Sequence, residues 1–138
     1  TIKLNSDADK IFGLDKVDMK KKIYVVEGPI DSLFLDNCIA VAGADFNNVQ
    51  GDLTVIYDNE PRNKEIVKQI EKTISQGRSV VLWPDSMKEK DINDMILSGY
   101  TKLQIQKIIE DNTFEGVSAK LRFTGWKKID ERSVSKTI

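Results

Sequence analysis

Short apolar runs alternate with amphipathic segments along the middle of this chain. Four runs are rich in β-branched, aromatic or aliphatic residues and have the length of buried strands: residues 23–26, 39–42, 52–57 and 79–83. Helix signals lie between them. An alternation of strands and helices is typical of a parallel sheet with right-handed crossovers. The pattern therefore predicts an α/β fold with a parallel four-stranded sheet flanked by helices.

The first predicted helix follows the first strand directly. Pro29 suits the first turn of a helix, and the apolar residues behind it continue a helical stripe towards Asn37: Ile30, Leu33 and Phe34. The prediction is therefore a helix of about two turns.

The later helices carry clearer end signals. Pro61 suits the start of a longer helix, Gly77 suits its end, and the apolar residues between them have helical spacing: Ile66, Val67, Ile70 and Ile74. A short helix is predicted from Asp91 to Ser98. Another should begin at a capping box and run to about residue 110, since the box has the required spacing: Thr101 and Gln104.

The amino-acid composition restricts the possible kinds of functional site more than it restricts the possible folds. With 138 residues, 40% of them hydrophobic and 31% charged, the chain has the size and balance of one globular domain. It has no run long enough to span a bilayer. Cys38 is the only cysteine and histidine is absent, which excludes disulfide frameworks, cysteine-rich zinc sites and imidazole chemistry and fits a reducing cytosol. Residue 1 is Thr rather than Met, which favours a fragment of a longer protein.

Carboxylates follow two of the predicted strands. Glu27 comes after the first strand, and Asp58 and Glu60 come after the third. If the extended backbone continues to residue 60, Asp58 and Glu60 point to the same face. Neighbouring strands would bring Glu27 to the same crevice, where α/β proteins bind ligands. Oxygen ligands without imidazole or thiolate favour magnesium. The alternative is that Glu27 and Asp58 only cap the helices after them.

A third acidic segment precedes the predicted short helix. It contains Lys90, Asp91, Asn93 and Asp94. Asp91 followed three residues later by Asp94 is also typical of a helix cap. The segment therefore has a functional and a structural interpretation, and its order after the other two favours the functional one.

Together the three segments resemble the TOPRIM domain of bacterial-type DNA primases, type IA and II topoisomerases and some nucleases. Glu27, Gly28 and Asp31 match its Glu-Gly-x-x-Asp segment, while Asp58-Asn59-Glu60 is similar to its Asp-x-Asp segment, with Glu in the second place. The segment from Lys90 to Asp94 and the segment Lys10-Ile11-Phe12-Gly13 resemble those of bacterial and bacteriophage primases. The resemblance covers roughly residues 10–110.

The resemblance implies roles for individual residues. Glu27, Asp58 and Glu60 would be catalytic and bind Mg²⁺ or Mn²⁺, with two ions expected and no zinc in this chain. Asp31, Asp91 and Asp94 would form a second acidic rim. The candidates for contacting nucleotide phosphates are basic residues near these segments: Lys10, Arg62 and Lys90. Gly28 would make a tight turn beside the metal. The longer Glu60 side chain leaves the preferred metal open.

The resemblance also implies a function. The chain would be the catalytic domain of a DNA primase that makes RNA primers from ribonucleoside triphosphates on single-stranded DNA, in a bacterial or phage-infected cell. A replicative helicase would be its partner, and template-reading zinc and basic subdomains would lie outside this chain. The predicted parts are a lead-in (1–22), the TOPRIM domain (23–116) and a C-terminal segment (117–138). A TOPRIM nuclease or RNA-maturation phosphodiesterase and a non-catalytic binding module remain alternatives.

The C-terminal segment combines basic and aromatic residues. Its candidates for nucleic-acid binding are four cations and one aromatic: Lys120, Arg122, Trp126, Lys127 and Lys128. The alternative, which we favour, is that this segment docks Leu121, Phe123 and Trp126 onto the sheet, because large aromatic side chains usually bury. The net charge of −1 also favours the main nucleic-acid contacts lying elsewhere.

Overall fold

The computed structural model describes residues 11–43, 46, 49 and 51–128. The chain divides into two compact units, Thr1–Ile56 and Tyr57–Ile138. Both combine helices with strands, which confirms the predicted α/β class. None of the helices within the described ranges has the length and hydropathy needed to cross a membrane.

The first unit is built on three parallel strands. They are β1 (Ile23–Val26), β2 (Cys38–Ala40) and β3 (Leu53–Ile56), and β1 pairs with both others in parallel register. Every residue of β1 and β3 is buried, which explains why these strands read as continuous apolar runs rather than as alternating ones. The parallel arrangement predicted from the sequence is confirmed for these three strands.

The lead-in to β1 is tied to β2. The backbone of Phe12 forms an antiparallel bridge with Ala40, and a 3-10 turn, Leu14–Lys16, follows. Between them Gly13 has φ 86°, and a Cβ there would stand 3.1 Å from the Cys38 carbonyl oxygen. Glycine is therefore required at this position by conformation and by space.

The first helix, α1 (Pro29–Ser32), is shorter than predicted. Ile30 and Leu33 are 59% and 65% exposed, so they do not form a buried stripe. Asn37 has φ 52°, and its side chain bonds the backbone of Asp18 and Lys22. These polar contacts with the segment before β1 outweigh the apolar spacing, and the prediction of a helix to Asn37 was wrong.

The described part of the second unit, residues 57–128, contains four helices and two strands. In chain order they are α2 (Lys64–Ser75), β4 (Ser79–Val81), α3 (Ile92–Leu97), α4 (Lys102–Asp111), β5 (Thr113–Phe114) and α5 (Gly116–Lys127). β4 and β5 are antiparallel. β5 was missed in the sequence, because two half-buried residues carry no periodic signal. The described chain thus has five strands instead of four, and one strand pair is antiparallel.

Helix α2 begins later than Pro61. The side-chain oxygen of Asn63 accepts hydrogen bonds from the N–H groups of Glu65 and Ile66, so Asn63 is the N-cap. The helix buries Ile70 and Ile74, and Gly77 follows it with φ 77°, as predicted from its position. The capping box of α4, between Thr101 and Gln104, is also confirmed.

Helix α5 belongs to the core of the second unit. Ala119, Phe123 and Trp126 are buried in a cluster with residues of α2 and the β4 region: Ile70, Ile74, Val80 and Leu82. Docking of the two aromatic residues is thus confirmed. Leu121 was expected beside them but is 72% exposed, because it lies on the opposite face of the helix.

Candidate metal site

Asp58 and Glu60 are separated by a turn. β3 ends at Ile56, and the N–H of Glu60 donates to the carbonyl oxygen of Asp58 at 2.9 Å. A hydrogen bond between residues two apart closes a γ-turn, so the backbone is not extended here. The condition under which alternation would place both side chains on one face is therefore not met. Whether Glu60 binds metal stays a prediction.

Asn59, between these two acids, binds the segment that leads to Asp91. Its backbone N–H donates to the Lys90 carbonyl at 2.6 Å. Its side-chain Nδ2 donates to the carbonyls of Met87 and Glu89 at 3.0 and 3.2 Å. On its other side, Asn59 Oδ1 accepts the indole N–H of Trp126 at 3.1 Å. One side chain therefore joins three parts of the second unit.

The carboxylates of Asp58 and Asp91 lie close together. A carboxylate oxygen of Asp58 lies within 4.8 Å of a carboxylate oxygen of Asp91, and both residues are half-buried. Asp91 is also the N-cap of α3, where its Oδ1 accepts the N–H of Asp94 at 2.8 Å. The capping interpretation of this segment is thus confirmed, but it does not exclude a ligand role, because a carboxylate has two oxygens and several lone pairs.

This pair has the donors that a hard divalent cation requires. Magnesium binds oxygen at about 2.0–2.1 Å, so two ligands of one ion lie at most about 4.2 Å apart. Oxygens within 4.8 Å of each other reach that separation with a small side-chain shift. Partial exposure leaves room for water or phosphate ligands, which magnesium usually retains. The described residues therefore fit the predicted Mg²⁺ or Mn²⁺.

The acidic residues predicted in the first unit lie around α1. Glu27 is exposed directly after β1, and Asp31 is half-buried in α1. Gly28 caps this helix with φ −95°, and a Cβ there would meet only Asp31 Oδ2 at 3.7 Å, an ordinary contact. The described surroundings of residue 28 therefore leave room for a side chain, and a tight turn of Gly28 beside a metal stays a prediction. The convergence of Glu27 with Asp58 and Glu60 stays a prediction.

The carboxylate of Asp31 affects the thiol of the half-buried Cys38. Burial, as the larger cause, and the negative charge of Asp31 together raise the pKa of Cys38 from 9.0 to about 12. The Cys38 thiol is therefore protonated at neutral pH. A protonated thiol is a poor nucleophile and metal ligand, so Cys38 adds no chemistry to this region.

The predicted phosphate-binding cations are all at the surface where they are described. Arg62 and Lys90 are exposed, Lys90 next to the Asp91 cap and Arg62 shortly after Glu60. Asp94 is half-buried in the first turn of α3. Lys10 lies outside the described residues.

Among the candidate nucleic-acid-binding residues in and directly after α5, some side chains are buried or contact other protein groups and others are exposed. Trp126 is 1% exposed, so its ring does not present a face to a base. Arg122 donates to the Trp83 carbonyl at 3.1 Å and lies 3.9 Å from Asp85, and Lys127 stands 4.6 Å above the Phe123 ring. Lys120 and Lys128 are exposed.

Sequence reasoning missed the residues that hold the acidic loops. Asn59 was only the variable position of a motif, yet it makes four hydrogen bonds. Trp83 donates its indole N–H to the carbonyl of Tyr57, next to Asp58, at 3.0 Å. The sole signal was the presence of Trp, whose donor usually finds a partner when the ring is buried.

Comparison with known proteins identifies a relative. No protein-family model matches the chain. The chain is 39% identical over 140 residues to the DNA primase of Enterobacteria phage T4, an alignment that covers 94% of this chain and 39% of the phage protein. The chain is therefore related in sequence to a phage DNA primase and spans 39% of that relative's length.

Proposed function

We propose that this chain carries the nucleotidyl-transfer site of a DNA primase, in a TOPRIM-type domain, and makes short RNA primers on single-stranded DNA. The observation that carries the proposal is the half-buried pair Asp58 and Asp91, brought within 4.8 Å in a chain that is 39% identical to a phage primase over 94% of its length. The acidic motifs of the sequence support it.

In this proposal Glu27, Asp58 and Glu60 hold divalent metal, with Asp31, Asp91 and Asp94 as the surrounding acidic rim. When bound, Mg²⁺ or Mn²⁺ supplies positive charge that offsets the charge developing on the triphosphate and the attacking hydroxyl. Asp91 is oriented by its capping bond to Asp94, so one of its oxygens is already immobilised before metal arrives. Lys90 and Arg62, both exposed, are the described cations proposed to contact the triphosphate.

The template and the partner are also part of the proposal. Lys120 and Lys128 are the exposed cations of the α5 region that we propose to contact the phosphates of single-stranded DNA. Two lysines supply little affinity, so regions outside this chain would bind most of the template. A replicative helicase is the proposed partner, on the basis of the resemblance to bacterial and bacteriophage primases.

The test is primer synthesis by the full-length protein with Asp58→Asn. Asparagine keeps the size of the side chain but removes the charge that holds a cation. We expect primer synthesis on single-stranded DNA to fall to background while template binding stays near wild type, because phosphate contacts come from basic residues. The matched control is Asp111→Asn, which removes a 60% exposed carboxylate whose ion pair with Lys107 lies on the surface of α4.

The outcomes separate the alternatives. Near wild-type primer synthesis by the Asp58→Asn protein would reject Asp58 as a metal ligand. A wild-type protein that makes no primers but cleaves DNA or RNA, and loses cleavage with Asp58→Asn, would establish the nuclease alternative instead. Absence of both activities together with unchanged metal affinity in the variant would favour a non-catalytic module.

A further inference from the structure

Asn59 uses both N–H donors and the carbonyl oxygen of its side-chain amide. The amide has two N–H donors and one carbonyl acceptor. The donors bind the carbonyls of Met87 and Glu89, and the acceptor binds the indole N–H of Trp126. With its backbone bond to Lys90, Asn59 binds three of the four carbonyls that lead into Asp91.

Trp126 determines which way this amide faces. An indole N–H can only donate, and backbone carbonyls can only accept. A flipped amide would place its NH₂ against the indole N–H and its oxygen against two carbonyl oxygens, so every contact would become repulsive. The donor of Trp126, 67 residues away in sequence, therefore selects the amide orientation that binds residues 87 and 89.

The pair lies between the core and the two acidic residues. Trp126 is 1% exposed and stacks on Phe123 with ring centroids 6.1 Å apart, so its position is set by core packing. Asn59 follows Asp58 in the chain, and the carbonyls it binds lie immediately before Asp91. The bonds thus connect the packed core to the backbone on both sides of the Asp58–Asp91 gap.

We propose that Asn59 and Trp126 are a positioning pair that sets the separation of Asp58 and Asp91 and thereby the affinity for divalent metal. This inference rests on the proposed metal site. Neither residue contacts the ion. Groups that orient metal ligands typically contribute about tenfold or more in metal affinity, and we expect an effect of that order here.

The first test is Trp126→Phe in the full-length protein. Phenylalanine retains most of the buried ring but removes the N–H, so the amide of Asn59 loses its orientation. We expect Mn²⁺ affinity, measured by titration with electron paramagnetic resonance detection, to weaken about tenfold. The Mg²⁺ concentration for half-maximal primer synthesis should rise in parallel, with the rate at saturating Mg²⁺ near wild type.

The control is Phe123→Leu, in the same core cluster. It removes packing beside Trp126 but leaves the Asn59 bond, so it should lower the melting temperature without weakening Mn²⁺ binding. Asn59→Ala is the second variant and preserves the tryptophan. We expect it to weaken Mn²⁺ binding at least as much as Trp126→Phe, and the double variant to be no worse than Asn59→Ala alone, because both residues act through one pathway.

Two results would overturn the inference. Unchanged Mn²⁺ affinity in Trp126→Phe and Asn59→Ala, with Asp58→Asn abolishing it, would leave the metal site intact and reject the positioning pair. If Phe123→Leu weakens Mn²⁺ binding as much as Trp126→Phe does, the effect comes from core packing in general and not from the hydrogen bond between Trp126 and Asn59. If instead Asp58→Asn binds Mn²⁺ like wild type, the metal site of the proposed function fails first, and the two failures are thus distinguished.

Discussion

Asp91 makes a helix cap and faces a second carboxylate at the same time. Its Oδ1 accepts the N–H of Asp94 at 2.8 Å, and one of its oxygens lies within 4.8 Å of an oxygen of Asp58. The first contact stabilises α3, whereas the second places two negative charges near each other. A bound cation would remove the repulsion between them.

The two roles of Asp91 are separable by substitution. Asparagine is as good an N-cap as aspartate, whereas alanine costs about 1 kcal/mol. We expect Asp91→Asn to retain most of the free energy of unfolding but to weaken Mn²⁺ binding, and Asp91→Ala to lose both. Urea unfolding and Mn²⁺ titration measure the two effects. An Asp91→Asn protein with wild-type metal affinity would show that Asp91 is only a cap.

The exposed lysines of the α5 region make a salt-dependent prediction. On single-stranded DNA, each phosphate contact contributes about 0.7 to the magnitude of the slope of log affinity against log salt concentration. Replacing both Lys120 and Lys128 by Gln should therefore reduce that magnitude by up to about 1.4. The control is Lys107→Gln in α4, which should leave it unchanged. Equal slopes in all three proteins would place the template elsewhere.

The raised pKa of the Cys38 thiol predicts that the protein loses stability at alkaline pH. Its pKa is raised from 9.0 to about 12 by burial and by the charge of Asp31. Between these values the unfolded thiol loses its proton while the folded one keeps it, so unfolding becomes more favourable as pH rises above 9. The contribution is fully present below pH 9 and declines by up to about 1.4 kcal/mol per pH unit above it.

Urea unfolding of wild type and Cys38→Ala between pH 8 and about 10.5 isolates this thiol from the lysines and tyrosines that titrate in the same range. We expect the wild type to lose more stability than the variant as pH rises. Asp31→Asn should reduce the difference only partly, because burial is the larger cause. Parallel pH profiles for wild type and Cys38→Ala would contradict the raised pKa.

Replacing threonine by valine should have opposite effects on stability at two buried positions, Thr54 and Thr73. Thr54 is 0% exposed, and its hydroxyl has no hydrogen-bond partner among the described residues. Thr54→Val should stabilise the protein by about 1 kcal/mol, since it replaces an unsatisfied hydroxyl by a methyl group.

Thr73 is 3% exposed, donates to the Gln69 carbonyl at 2.8 Å and bonds the Tyr57 hydroxyl at 2.7 Å. Thr73→Val should therefore destabilise by about 1 kcal/mol, and urea unfolding compares the two. If Thr54→Val destabilises as much as Thr73→Val, the Thr54 hydroxyl is satisfied in solution.

The elements with strong local signals were predictable. The buried runs that became β1 and β3 were found because strands covered on both faces are continuously apolar. The capping box of α4 and the Asp91 cap of α3 depend on bonds between residues three apart, which spacing reveals directly. Where the local signal was short or ambiguous, prediction failed: α1 was predicted to be longer than it is, and β5 was not predicted.

The sequence by itself determined the α/β class, most helix ends and the identity of the carboxylates, because apolar period, capping and residue chemistry are local properties. Only the tertiary structure decided that Asp58 and Asp91 lie together and that the indole N–H of Trp126 binds Asn59. The hydrogen bonds of the Asn59 side chain reach partners 28, 30 and 67 residues away. Such bonds require the folded chain to bring distant segments together, and no local spacing encodes them.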